Sequence, residues 1–162
     1  MKDNTAQDWK KTLSDRLPLL GHRNWIVVVD AAYPDQISSG IETLMCDEPQ
    51  EEAVKTVIDE LNKQSHVRSH IFIDKELSFV SETDASGVTS YRNALNNILP
   101  KANVETLLHE DIISMLDEAG KTFKVLLIKT KLTIPYTSVF FRLECGYWSD
   151  DAEVRMREAM KK

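Results

Sequence analysis

A chain of 162 residues suits one domain and buries about 70% of the surface it exposes when unfolded, so neither a metal nor a disulfide is needed to hold a core. A net charge of −6 with no Lys/Arg cluster argues against a nucleic-acid partner, and two distant cysteines exclude a disulfide scaffold or a CxxC metal site. No run of about 18 apolar residues offers a membrane span, and the opening MKDNTAQDWKK lacks the apolar core of a secretory signal, so the cytoplasm is the expected compartment.

Over residues 7–20, Trp9, Leu13, Leu17 and Leu20 recur at helical spacing, with Pro18 ending the last turn and Gly21 at the C-terminal cap. The continuous apolar run 25–29 is a strand covered on both faces. A second strand is expected over 40–46. The stretch 47–64 then forms a helix with acidic residues in its first turn and Ala53, Val54, Val57, Ile58 and Leu61 on one face. A short strand over 70–74 and a polar loop lead to a helix that stops by Pro100. Next come a strand over 103–108 and a helix ending at Gly120. Two long strands, 123–132 and 137–148, flank TIPY, with Cys145 as a small core residue. The tail is an amphipathic helix capped by Ser149 or Asp150.

Strands alternating with helices indicate an α/β domain with a largely parallel central sheet, here a Rossmann-like three-layer α/β/α sandwich over 1–148 with the helix 149–162 appended. Ligands of such sheets bind beyond the carboxyl ends of the strands. Asp30 sits at such an end, either as a functional carboxylate or as a cap for the AAYP segment that follows. The DxD spacing of haloacid-type hydrolases is missing, as are a Gly-rich phosphate loop, a GxSxG elbow and HExxH.

His22 follows Gly21. It either bonds the last carbonyls of the first helix or works with Asp30, whose carboxylate would fix the imidazole tautomer for acid–base chemistry. A five-residue strand spans about 17 Å, so the two meet only if the turn folds back or a neighbouring subunit supplies the contact. His66 and His70 are expected in a solvated loop between helix and strand. His109, in LHED, opens a helix as a neutral cap or a site residue.

Two segments together resemble the D-ribose pyranase and L-fucose mutarotase family. The first is Leu19, Leu20, Gly21 and His22, the strand, then Asp30, Ala31 and Pro34, with Tyr33 closer to the fucose branch. The second is Ile128, Lys129 and Thr130, then Pro135, Tyr136, Thr137, Ser138 and the apolar VFFRLECG; LHED is similar to a His-Glu step of the ribose branch. The family's Gly-Glu is Lys131-Leu132 here, its sugar-binding Asn is Ser138, and the chain adds the helix 150–161.

The resemblance implies a cofactor-independent and metal-independent monosaccharide mutarotase or pyranase acting in sites between subunits of a ring-shaped homo-oligomer. His22 is then the acid/base, Asp30 its orienter or a sugar-hydroxyl acceptor, and Tyr136 a binding or proton-transfer group. Ser138 takes the amide's place, and His109 joins as a substrate contact. Ser138 offers one rotatable hydroxyl where an amide offers both donors and an acceptor. That loss, with the lost Gly-Glu, motivates the alternative of a noncatalytic sugar-binding or assembly protein on the same fold.

Overall fold

The computed structural model describes residues 8–162; the expected helix start at Gln7 and most of the segment read as lacking a signal lie outside them. In chain order the elements are α1 (Trp9–Arg16) with a 3-10 turn (Leu17–Leu19), β1 (Trp25–Val29), β2 (Ile41–Met45) and α2 (Gln50–Asn62). They continue with β3 (Val67–Asp74), a 3-10 turn (Lys75–Phe79), α3 (Val88–Ile98), β4 (Val104–Leu107) and α4 (His109–Gly120). The chain ends with β5 (Val125–Lys129), β6 (Val139–Cys145) and α5 (Asp150–Ala159).

The six strands form one sheet in the order β2-β5-β1-β6-β3-β4. Pairs β1–β5, β2–β5 and β3–β4 are parallel, whereas β6 runs antiparallel between β1 and β3. The sheet is thus mostly parallel, and helices cover both faces. Alternation along the strands sorts the side chains. Ile26, Val28, Leu126, Ile128, Val139 and Phe141 face α1, α2 and α3, while Trp25, Val27, Val29, Leu127 and Phe140 face α4. All five residues of β1 are buried, as a strand covered on both sides requires.

Several local expectations are corrected. The strand expected over 70–74 begins at Val67, so His70 lies within it and its Nε2 is 2.9 Å from Glu105 Oε2 on β4. His66 is no solvated loop residue either: its half-buried Nε2 lies 3.1 Å from the Leu17 carbonyl and 2.9 Å from that of Leu20. It thereby serves the last carbonyls of the first helical segment, the task considered for His22. The left-handed residue of this turn is Arg23, at φ 76°, and not Gly21. The two long strands contract to β5 and β6 because residues 130–138 fold away as a loop. Of the cysteines, Cys46 is the buried one and Cys145 is half-exposed.

The tail helix forms with Ser149 as its cap, accepting from the Ala152 amide at 3.0 Å. Its attachment is polar, through Arg68 and Asp150 at 3.1 Å, and none of its residues is buried. Val154 and Met160 are exposed.

Beside β2, close approach of backbone dictates the residue at position 40. A Cβ there would lie 2.5 Å from the Gly120 carbonyl oxygen and 3.1 Å from that of Phe123, and the Gly40 carbonyl itself accepts from the Val125 amide at 2.8 Å. Gly40→Ala is expected to lower unfolding stability by about 1–3 kcal/mol, read as an earlier urea midpoint at unchanged slope.

Candidate functional site

Parallel strands direct their carboxyl ends to one edge of the sheet, and the antiparallel β6 starts at that same edge. Asp30 follows β1, Asp74 ends β3, His109 opens α4 just after β4, and Ser138 immediately precedes β6. These residues border one cavity of about 420 Å³, with Tyr33, Gln36, Glu110 and Tyr136 among the others around it. Small-ligand sites run from roughly 300 to 1,000 Å³, so this one sits at the small end.

His109 is fixed from two sides. Leu108, which caps α4, offers no side-chain oxygen, and Glu76 from the 3-10 turn replaces it: both its carboxylate oxygens accept from the His109 amide, at 3.0 and 3.1 Å. A carboxylate at a helix N-terminus also meets the positive end of the helix dipole. The imidazole Nδ1 is 2.9 Å from Asp74 Oδ2, and the Asp74 side chain is 0% exposed against 26% for His109. The ring meets that of Tyr136 edge-on, centroids 5.7 Å apart at 82°.

Tyr136 occupies the left-handed region at φ 58°. For a bulky residue this conformation costs on the order of 1–3 kcal/mol and persists only where the surroundings enforce it. The enforcement comes from the next residue. The Thr137 carbonyl accepts from Gln50 Nε2 and from Tyr91 Oη, both at 2.7 Å, and Thr130 Oγ1 donates to Gln50 Oε1 at 2.7 Å. All four of these residues are buried. The loop is thus tied to α2 at both ends and to α3 at its Thr137 end, and Tyr136 and Ser138 are delivered to the cavity.

The cavity is acidic: Asp30, Asp74, Glu110 and Asp117 border it, and among the described residues no lysine or arginine does. Lys129 stands nearby but donates to the Tyr33 carbonyl at 2.8 Å. Burial pushes the Asp30 carboxyl above its ordinary range, against the opposing pull of the Ala32 and Tyr33 amides and of Lys129. The Tyr33 amide also donates to the Asp30 backbone carbonyl at 3.4 Å, a local turn of the kind considered for this residue. Burial likewise pushes Asp74 up to about 6, with Glu76 and Asp30 adding repulsion and His109 opposing it. Two buried side-chain oxygens lack a hydrogen-bond partner among the described residues, Asp74 Oδ1 and Gln36 Oε1, and both residues border this cavity.

Of the residues expected from sequence, Asp30, His109, Tyr136 and Ser138 therefore meet. His22 does not join them within one chain: it is exposed in the turn before β1, at the other end of that strand from Asp30. Sequence reading missed Asp74 and Glu76. A signal existed for Asp74, because HIFID repeats the pattern of WIVVVD, an apolar run closed by an aspartate.

A raised carboxyl pKa favours the folded state at low pH and loses that contribution as pH climbs through the folded value. For Asp74, faced by His109, Glu76, Asp30 and Tyr33, the window runs from the ordinary carboxyl range, about 4, to about 6. The unfolding free energy of Asp74→Asn relative to the native chain is expected to shift in the variant's favour by on the order of 2 kcal/mol across that window and to level off above it, measured by urea titrations at several pH values.

No family model matches the chain, and no curated protein matches it in sequence. Solved structures do. RbsD of Bacillus subtilis, complexed with D-ribose, superposes with a TM-score of 0.56 at 19% identity, over 89% of this chain and 98% of that one. The fucose mutarotase of Streptococcus pneumoniae, complexed with L-fucose, gives 0.50 at 20% identity over 85% and 91%, and FucU of Bifidobacterium longum gives 0.51 at 11% over 83% and 94%. At these identities the likeness is one of fold alone: the chain has the mixed α/β fold of these RbsD and fucose mutarotase structures.

Proposed function

We propose that the protein is a monosaccharide mutarotase or pyranase that interconverts anomers or ring forms of a free fucose- or ribose-like sugar by histidine acid–base catalysis. The observation that carries this reading is the convergence of His109, Asp30, Tyr136 and Ser138 on one cavity at the carboxyl edge of the sheet. The fold and the ligands of its structural neighbours support it. The four bordering carboxylates, with no cation beside them among the described residues, disfavour a phosphorylated sugar. Hydroxyl donors suit a wall bordered by carboxylates and by acceptors that lack donors.

The reaction needs one proton removed and one supplied. The anomeric hydroxyl gives its proton to a base, the bond from the anomeric carbon to the ring oxygen breaks as the carbonyl forms, and the ring oxygen takes a proton. Closure on the opposite face reverses these steps. His109 is the group within the cavity suited to the base role, and Asp30 and Ser138 accept sugar hydroxyls. Tyr136 packs beside His109 and presents its phenol to the sugar. His22 acts as the second acid/base on the cavity of an adjoining copy, in a homo-oligomer whose sites lie between subunits.

Saturation-difference proton NMR on the anomeric signals of fucose, ribose and a small sugar panel tests the reading. Exchange accelerated by the native chain should fall about 10²–10⁴-fold in His109→Ala. Sugar binding without accelerated exchange would instead support the noncatalytic alternative. The shared site has its own check: His22→Ala and His109→Ala, each impaired alone, should regain part of the exchange rate when unfolded together and refolded as mixed oligomers. A monomer by light scattering, or no recovery on mixing, would remove His22 from the mechanism.

A further inference from the structure

We propose that Asp74 is a positioning residue that holds the His109 proton on Nδ1 and leaves the bare lone pair of Nε2 as the base of the cavity. With Asp74 ionised, the geometry permits one arrangement of the pair. An ionised carboxylate only accepts, so the 2.9 Å contact between Asp74 Oδ2 and His109 Nδ1 requires the proton on Nδ1. Turning the ring over would place a carbon against Asp74 and leave both oxygens of a fully buried carboxylate without a donor, since Oδ1 has no partner already. Rotation of the imidazole is further opposed by the edge-on Tyr136 ring and by Phe140, whose centroid is 6.5 Å away at 60°. Nε2, by contrast, has no partner among the described residues.

The arrangement also explains why a buried carboxylate is kept half-satisfied. When Nε2 takes a proton, the imidazolium formed lies against the Asp74 carboxylate, and their attraction in a dry site stabilises it far better than water could. A carboxylate saturated by other donors would be a weaker partner at that moment. The tautomer follows from the contact to the ionised carboxylate; its use in catalysis rests on the mutarotase reading.

Two-bond proton–nitrogen correlation spectra of the full-length chain at pH 8, uniformly labelled with ¹⁵N, read the tautomer directly, and His109→Gln assigns the signals among the four histidines. The native chain should show a protonated, pyrrole-type Nδ1 and an unprotonated, pyridine-type Nε2 for His109. In Asp74→Asn the amide should donate to Nδ1 and exchange the two signal types, with anomeric exchange reduced about 100-fold. A native His109 carrying its proton on Nε2 overturns the proposal without any variant having to fold. So does a variant whose tautomer is unchanged, or one whose tautomer reverses while exchange persists at the native rate. A native chain that exchanges no sugar overturns the proposed function instead, and the native tautomer then decides the role of Asp74 by itself.

Discussion

The buried carboxamide of Gln50 is the contact on which the site depends. At the first position of α2 it donates to the Tyr91 hydroxyl at 3.1 Å and the Thr137 carbonyl at 2.7 Å, and it accepts from Thr130. Both amide hydrogens and the carbonyl oxygen are engaged in a buried place, and a network satisfied in this way rigidifies what it joins. What it joins is the end of β5 and the start of β6, through a nine-residue loop, 130–138, that would otherwise hang beyond the sheet edge. That anchor, with the Tyr91 hydroxyl on the same Thr137 carbonyl, holds the backbone beside the left-handed Tyr136 and next to Ser138. The core needs only apolar burial; the site needs this polar tie.

The elements were legible wherever hydrophobic period and capping agree. The runs at 25–29 and 125–129, the apolar face of α2 and the Ser149 cap are local signals, and local signals survive without a structure. The direction of β6 was not, because an apolar run records burial and says nothing of which neighbour it pairs with. Its insertion, antiparallel, between β1 and β3 is what brings residues 136–138 to the carboxyl edge of the other strands. The histidines show the same limit. His66 and His22 are each preceded by polar or turn-forming residues, and only the tertiary contact with Leu17 and Leu20 distinguishes the structural one. Asp74 was legible in principle through its likeness to Asp30. Glu76 was not, since it caps a helix 33 residues away.

Electrostatics at the site run against stability. Two carboxyls, Asp30 and Asp74, are held above their ordinary range by burial, and Asp74 keeps one oxygen without a donor among the described residues. Selection for stability alone would replace Asp74 with a neutral residue. On the mutarotase reading the buried carboxylate has the opposite value, because it stabilises the imidazolium that forms on His109 when Nε2 takes a proton. The cost is borne by a core in which β1 is buried along its entire length.

That rigidity settles what a site using both His22 and Asp30 must look like. The residues sit at opposite ends of β1, which is locked on both sides, by β5 in parallel register from Trp25 to Val29 and by β6 in antiparallel register. A strand so paired cannot shorten, and the turn before it is fixed by the Asn24 side chain, which accepts from the Gly21 amide at 2.7 Å and donates to the Lys124 carbonyl at 3.1 Å. No rearrangement short of unpairing the sheet carries His22 across about 17 Å to its own cavity. A monosaccharide is far smaller than that gap. Any sugar held against Asp30 therefore meets His22 only from another chain, so a catalytic role for this histidine and a monomeric protein are mutually exclusive.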